Sequence, residues 1–436
     1  MKKILTVCLC FLFISVVNAE KCTVVTGDGS HIGNEIKCGT EYFYIMKADN
    51  EKTELLAKYN LFVGDKINLI TPTEEDYDEF YDNDDNYDKD FCFEFAKDKG
   101  YDPYYTVEAY DFVTDDFLGC RVYEKINYER VLQDEKAVGT YLENGKSKLP
   151  LYGIVYMVPE WGYDYMHDDI LHINEYDNEG NLVIEGSSIE EYLNGYKKEL
   201  KSQGINTISV GMPVLDKSID FLETISGKPF DFALEHIDDY NNPLVYWTDR
   251  MDIKSYVPEQ YKWFYDRTYW LGSGFALYDI PNSFADYYIS NEGYLCAIGR
   301  GECVYLPYPI GNGLRPLVTI NTADINFVIE TKTDGNGTVE SEKVTAAEGE
   351  VIKFTVTPND GYVLGEVRVT DALGNVVVFK DNTFTMPNAN VLIEAVFVLA
   401  EQNPNTGDIA LITISAILMI CTIAVMLNYK KLKFLE

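Results

Sequence analysis

The chain has 436 residues, with 71 acidic against 36 basic side chains and a formal net charge of -35. That excess argues against nucleic acid or anionic lipid as a partner, and is compatible with divalent cations. The length suffices for two or three domains. Lys2 and Lys3 precede an apolar stretch from Ile4 to Val17, and Val17-Asn18-Ala19 has the small-residue spacing of a signal-peptidase site, so residues 1–19 read as an export signal. Residues 20–70 read as β-rich: Glu41–Met46 as a strand, Lys47–Asn50 as a turn, Glu54–Leu61 as the returning partner.

From Thr73 to Asp90 the chain becomes extremely acidic. Asp82, Asp84, Asn86 and Asp88 alternate as calcium ligands would, but Tyr87 stands at the turn glycine of a calcium loop and Phe93 at its closing glutamate. An EF-hand is therefore excluded. A solvated acidic loop is expected, with those four as calcium candidates. Leu151–Val158 reads as a buried strand. Ser188 and Glu191 form a capping box ahead of Ile189, Tyr192, Leu193, Tyr196 and Leu200 at helical spacing, and Gly204 stands past the end as a left-handed cap.

Further on come Tyr269–Ser273, a hairpin through Asn291–Gly293, and Gly313-Leu314-Arg315-Pro316. With Leu55–Leu61 and Tyr192–Leu200, these motifs resemble an uncharacterised bacterial exported domain, itself similar to C-type-lectin-like and formylglycine-generating-enzyme-like folds. The resemblance spans roughly residues 40–320 and implies a mixed α+β fold over 20–322, with a candidate break near 125–150. Residues 325–399 alternate apolar and polar positions with Gly, Asn and Pro punctuation, which reads as a small all-β domain of five or six strands. Thr357-Pro358, Gly361-Tyr362 and Phe384-Thr385-Met386-Pro387 make it similar to the divergent internalin-B-type repeat of bacterial surface proteins, in which the module serves as a stalk or adhesion spacer.

A linker and polar motif follow at 400–408, then an uncharged run from Ile409 to Leu427, long enough to cross a bilayer as a helix, and a basic tail at 428–436. Asn403-Pro404-Asn405-Thr406-Gly407 resembles the Leu-Pro-x-Thr-Gly sorting signal of Gram-positive bacteria. The resemblance implies sortase cleavage between Thr406 and Gly407 and attachment to cell wall peptidoglycan.

Six cysteines fall between the two terminal segments: Cys22, Cys38, Cys92, Cys120, Cys296 and Cys303. An even count in an exported chain suggests disulfides, and locality suggests sequential pairing, 22–38, 92–120 and 296–303. The formylglycine-generating resemblance offers a second role for Cys296 and Cys303, as a copper-binding oxidising pair. The four histidines, His31, His167, His172 and His236, form no zinc-hydrolase motif. Tyr269, Trp270, Tyr287 and Tyr288 are candidates for stacking on a sugar or peptide, with Asp286 and Glu292 as hydrogen-bond acceptors; core filling competes for the same aromatics. The expectation is a non-catalytic, surface-anchored binding or adhesion protein of a Gram-positive bacterium, with no cofactor beyond calcium, an extracellular glycan or protein ligand, and no nucleic acid. A formylglycine-generating-type oxidase and a purely structural wall protein are the alternatives.

Overall fold

The computed structural model describes residues 21–25, 31–81, 90–103, 106–110, 117–138, 151–156, 177, 180–238, 247–276, 284–300 and 311–400. The first elements are β1 (Cys22–Val24), β2 (Glu35–Cys38), β3 (Glu41–Ala48), β4 (Lys52–Ala57), β5 (Asp65–Ile70), α1 (Glu74–Tyr81), α2 (Phe91–Lys99), β6 (Thr106–Tyr110), β7 (Phe117–Lys125) and β8 (Leu151–Tyr156). Then come α3 (Ser188–Ser202), β9 (Thr207–Gly211), α4 (Leu215–Ser226), β10 (Glu235–Asp238), β11 (Trp247–Asp252), β12 (Tyr269–Ala276), β13 (Phe284–Ser290), β14 (Tyr294–Arg300), β15 (Gly311–Asn312) and β16 (Leu317–Asn321). The last strands are β17 (Ile325–Thr333), β18 (Gly337–Ser341), β19 (Thr345–Ala347), β20 (Val351–Pro358), β21 (Tyr362–Asp371), β22 (Phe379–Lys380), β23 (Thr383–Thr385) and β24 (Val391–Leu399).

The expected α+β, lectin-like fold is thereby corrected. Among the described residues the chain is mainly β, with its strands in several sheets and only four α-helices. The expected membrane-spanning helix at 409–427 lies outside the described residues, and among those described no helix is long and apolar enough to cross a membrane. The export signal at 1–19, the sorting motif and the calcium candidates Asp82, Asp84, Asn86 and Asp88 also lie outside them.

The chain divides into two compact units, residues 1–330 with 341–353 and 369–392, and residues 331–340 with 354–368 and 393–436. In the first unit a sheet runs β17-β1-β2-β3-β4-β16-β9. Its ladders are antiparallel except for β1 beside β17, where Cys22 pairs with Ile325. A second sheet is ordered β10-β11-β14-β13-β12 and a third β15-β8-β5-β7-β6. Residues Val351–Lys353 of β20 pair with β23, and β23 with β22.

One face of the first sheet is covered by α3, which buries Ile189, Tyr192, Leu193, Tyr196 and Leu200, the face expected from its spacing. Its cap sits one residue earlier than expected. Ser187, not Ser188, accepts from the Glu190 amide at 3.2 Å, and the Glu190 side chain accepts from the Gly186 amide at 2.7 Å. Gly204 does adopt the left-handed conformation, at φ +83°. The other face is covered by α4 and the segment from Trp263 to Leu271. There Met46, Leu56, Phe221, Leu222, Trp263, Phe264, Tyr269 and Leu271 share one apolar cluster. Fully burying side chains of this size contributes about 1.5–3 kcal/mol each before entropy is subtracted.

Cys22–Cys38 ties β1 to β2, and Cys92–Cys120 ties α2 to β7, as sequential pairing predicts. The expected acidic loop is in its first part the helix α1. Thr73 caps it: its hydroxyl accepts from the Asp76 amide at 3.2 Å and donates to the Asp76 carboxylate at 2.7 Å. Acidic side chains in a first turn also suit the helix dipole.

In the smaller unit Val339, Phe354, Ile393, Ala395 and Phe397 are buried. The Phe397 amide donates to Asp334 at 3.0 Å, and Lys332 pairs with Glu394 at 2.8 Å. Gly337 passes so close to Phe397 that a Cβ there would lie 2.4 Å from the ring.

Candidate functional site

The aromatic residues singled out for ligand stacking are placed in the core instead. Tyr269 and Trp270 are fully buried; the Tyr269 hydroxyl donates to the Phe264 carbonyl at 2.8 Å, and the Trp270 indole to the Val155 carbonyl at 2.7 Å. Tyr287 and Asp286 are buried as well. Tyr288 is half-buried, edge-on to Trp270 with centroids 5.7 Å apart, and Glu292 is exposed in the β13–β14 turn, where Gly293 supplies φ +82°. These six residues do not form a common ligand face.

Cys296 corrects a further expectation. It is a free, buried thiol on β14, opposite Tyr288, and Cys303 lies outside the described residues. Burial pushes the thiol up to about 12, which the Tyr288 hydrogen bond only partly offsets. A thiol so strongly held protonated is a poor nucleophile and metal ligand.

The surface that does gather chemistry lies on β2, β3 and β4. On β3, Phe43 and Ile45 point inward while Tyr42 and Tyr44 point to the opposite face. On β2, Glu35 and Lys37 share the Tyr42 and Tyr44 face, where Tyr44 borders the α4-covered cluster, and the register sets Lys37 opposite Tyr42 and Glu35 opposite Tyr44. Just past β4, the Lys58 amide bonds the Tyr42 carbonyl at 2.8 Å, which brings the Lys58 side chain alongside. Cations and rings then alternate. Lys37 stands 5.5 Å from the Tyr42 centroid, Lys58 5.6 Å from Tyr42 and 5.7 Å from Tyr59, and the Arg267 guanidinium 4.6 Å from Tyr59. Such contacts are worth about 0.5–1 kcal/mol each at exposed sites.

Lys58 is held by both oxygens of Glu35, at 3.0 and 2.9 Å. Burial is the largest single influence and works to lower its pKa, but the Glu35 bond and the charge interactions with Glu35, Tyr44 and Tyr59 together outweigh it, so the ammonium stays charged more firmly than usual. Tyr44 stacks on Trp263 with centroids 4.3 Å apart, and burial raises its hydroxyl. Burial lowers the Arg267 pKa, while its Nε and Nη1 donate to the Lys58 and Glu135 carbonyls at 3.2 and 3.3 Å. Among the described residues, neither Lys37 nor Arg267 is ion-paired.

Two locks hold this surface in place. Arg315 is fully buried; it donates to the carbonyls of Ala57 (2.7 Å), Trp263 (3.0 Å), Phe264 (3.3 Å) and Lys58 (3.3 Å), and pairs with Asp266 at 3.3 Å. Asp266 is nonetheless raised, because burial outweighs the pull of Arg315. Asn60 donates to the Thr268 carbonyl at 3.2 Å and packs so tightly on Gly313 that a Cβ there would meet its amide at 1.9 Å. The Gly-Leu-Arg-Pro motif thus serves as the fastener of the Leu55–Leu61 segment. On the sheet's inner face Glu41 accepts from Tyr196 (3.1 Å) and from the Gln133 amide (3.0 Å), with burial raising its pKa; all its contacts are structural.

Sequence reading missed this surface, since Lys37, Tyr42, Lys58 and Arg267 are distant in the chain and meet only through sheet register. The alternation along β3 and the tyrosines at 42, 44 and 59 were the available signals.

Residues 327–401 match the divergent InlB B-repeat domain, which supports a bacterial surface-protein repeat over that stretch. The β-strands β17 to β24 that fill it exceed the five or six expected. No curated protein and no solved structure matches the chain.

Proposed function

We propose that the chain is an exported, non-catalytic binding protein displayed on a bacterial surface, with residues before the repeat meeting an extracellular glycan or protein. The observation that carries this reading is the InlB-type repeat at 327–401, a module of surface and adhesion proteins. The two disulfides support it, because such bonds persist in oxidising, extracellular compartments. The protonated, buried Cys296 speaks against the copper-oxidase alternative. In this reading the export signal is removed after Ala19, and sortase cleaves between Thr406 and Gly407 and joins the chain to peptidoglycan. No cofactor is required.

The test compares bacteria expressing the full chain with a deletion strain for attachment to surfaces coated with glycans and extracellular proteins. Attachment that depends on the chain is expected. Equal attachment by both strains, or turnover of any glycan or peptide by the purified chain, overturns the reading.

A further inference from the structure

We infer that the alternating cation–ring track Lys37–Tyr42–Lys58–Tyr59–Arg267 binds a linear acidic glycan, an assignment that rests on the surface-binding role proposed above. The chain as a whole carries a formal charge of -35, so a surface with surplus cations is an exception to its own composition. On this face Glu35 neutralises Lys58 and Asp266 neutralises Arg315. At the two ends of the track, Lys37 and Arg267 make no ion pair among the described residues, although the Asp266 that pairs with Arg315 also draws on Arg267. Lys37 is exposed, and Tyr42, Lys58, Tyr59 and Arg267 are half-buried, so the track is reachable along its length.

The chemistry of the track selects the ligand class. Acidic groups spaced along a polymer match two cations separated by rings. Between them, tyrosines offer apolar ring surface to the C–H faces of sugars and hydroxyls to their hydroxyl groups. A guanidinium with two nitrogens already bound to carbonyls, as in Arg267, keeps its remaining N–H groups for an anion and is pre-oriented for it. An acidic peptide fits less well. β2, β3 and β4 are interior strands, flanked by β1 and β16, and offer no free edge for strand addition. Nor is the track a point-charge site for a free anion, because its rings extend the contact well beyond one charge.

The test measures binding of the full chain to hyaluronan oligosaccharides, uncharged dextran oligosaccharides and poly-glutamate. Hyaluronan should bind and dextran should not. Lys37→Glu, at an exposed residue whose side chain has the Tyr42 ring as its one fold contact among the described residues, should weaken hyaluronan binding at least tenfold while lowering the melting temperature by no more than a few degrees. Arg267→Lys keeps the charge and loses the fork, and should weaken binding by a smaller factor. Lys380→Glu, at an exposed lysine of the repeat, should bind as wild type does. Absence of hyaluronan binding, equal binding by Lys37→Glu, or capture of poly-glutamate in its place overturns the assignment. Chain-dependent attachment that survives Lys37→Glu would sink the glycan track alone and leave the surface-binding role standing; loss of chain-dependent attachment altogether would remove both.

Discussion

Asp65 opens β5, pairs across to Lys125 on β7 and Ile154 on β8, and is 7% exposed. Burial raises its carboxyl from 3.8 to about 7, against the pull of Lys125. A shift of about 3 units corresponds to roughly 4 kcal/mol of differential free energy between the protonated and ionised forms. Because the folded pKa lies above the unfolded one, the contribution to stability is fully present below pH 3.8. It is lost progressively as pH rises to about 7, where the buried carboxylate is ionised. Asp65→Asn keeps the shape and removes the ionisation. Its stability relative to wild type should be near zero at pH 4 and should climb to at most about 4 kcal/mol in its favour at pH 8. Urea unfolding of both proteins between pH 4 and 8.5 gives the difference directly, and cancels the titration of the many other carboxylates. A difference curve that stays flat over that range, or falls with rising pH, refutes the argument.

Arg315→Met fills much the same volume but strips four carbonyls and Asp266 of their donor, so a loss on the order of 3–5 kcal/mol is expected in denaturant unfolding. A near-neutral result would show that the motif does not fasten the sheet. Cys92→Ser with Cys120→Ser opens a link over 28 residues and should cost about 3–4 kcal/mol, with no further loss on adding reductant beyond that from Cys22–Cys38. Gly337→Ala drives a methyl into the Phe397 ring and should cost about 1–3 kcal/mol, read as faster amide exchange along β24. Unchanged exchange there would mean the ring yields without penalty.

What the sequence disclosed and what it withheld follow from geometry. Alternation marked β3 correctly because its two faces differ: Phe43 and Ile45 are buried, Tyr42 and Tyr44 only partly so. The same reasoning fails at Tyr269 and Trp270. These neighbours project to opposite faces of β12, yet both are fully buried, and a strand covered on both sides carries no period by which surface can be told from core. The helix α4 escaped for want of a cap: Val214 stands at its N-terminus with no side-chain bond, and only the left-handed Gly227 marks its end. The cap of α3 slipped by one residue because Ser187-Ser188 and Glu190-Glu191 offer two overlapping Ser-x-x-Glu frames, of which the chain uses the first. The cation–ring track was invisible for a different reason. Its members come from β2, β3, the end of β4 and the loop before β12, and the facing of Lys37 and Tyr42 is a matter of register, which a shift of one residue would abolish.

The acidity of the chain also shapes how the track must behave. At about 0.01 M salt the screening length is about 30 Å, so a polyanion approaching Lys37 feels the repulsion of the whole acidic surface. At about 0.15 M it is roughly 8 Å, which screens the distant carboxylates but leaves the local attraction of Lys37 and Arg267 largely intact. At about 1 M it shrinks to about 3 Å, and that attraction is screened too. Affinity for an acidic glycan should therefore pass through a maximum at intermediate ionic strength, unlike the steady rise toward low salt of a basic protein binding a polyanion. Lys37→Glu should flatten the maximum, since it removes the short-range attraction and leaves the long-range repulsion. A monotonic increase in affinity down to about 0.01 M salt would mean that the net charge has no reach at this face and that the electrostatic reasoning fails.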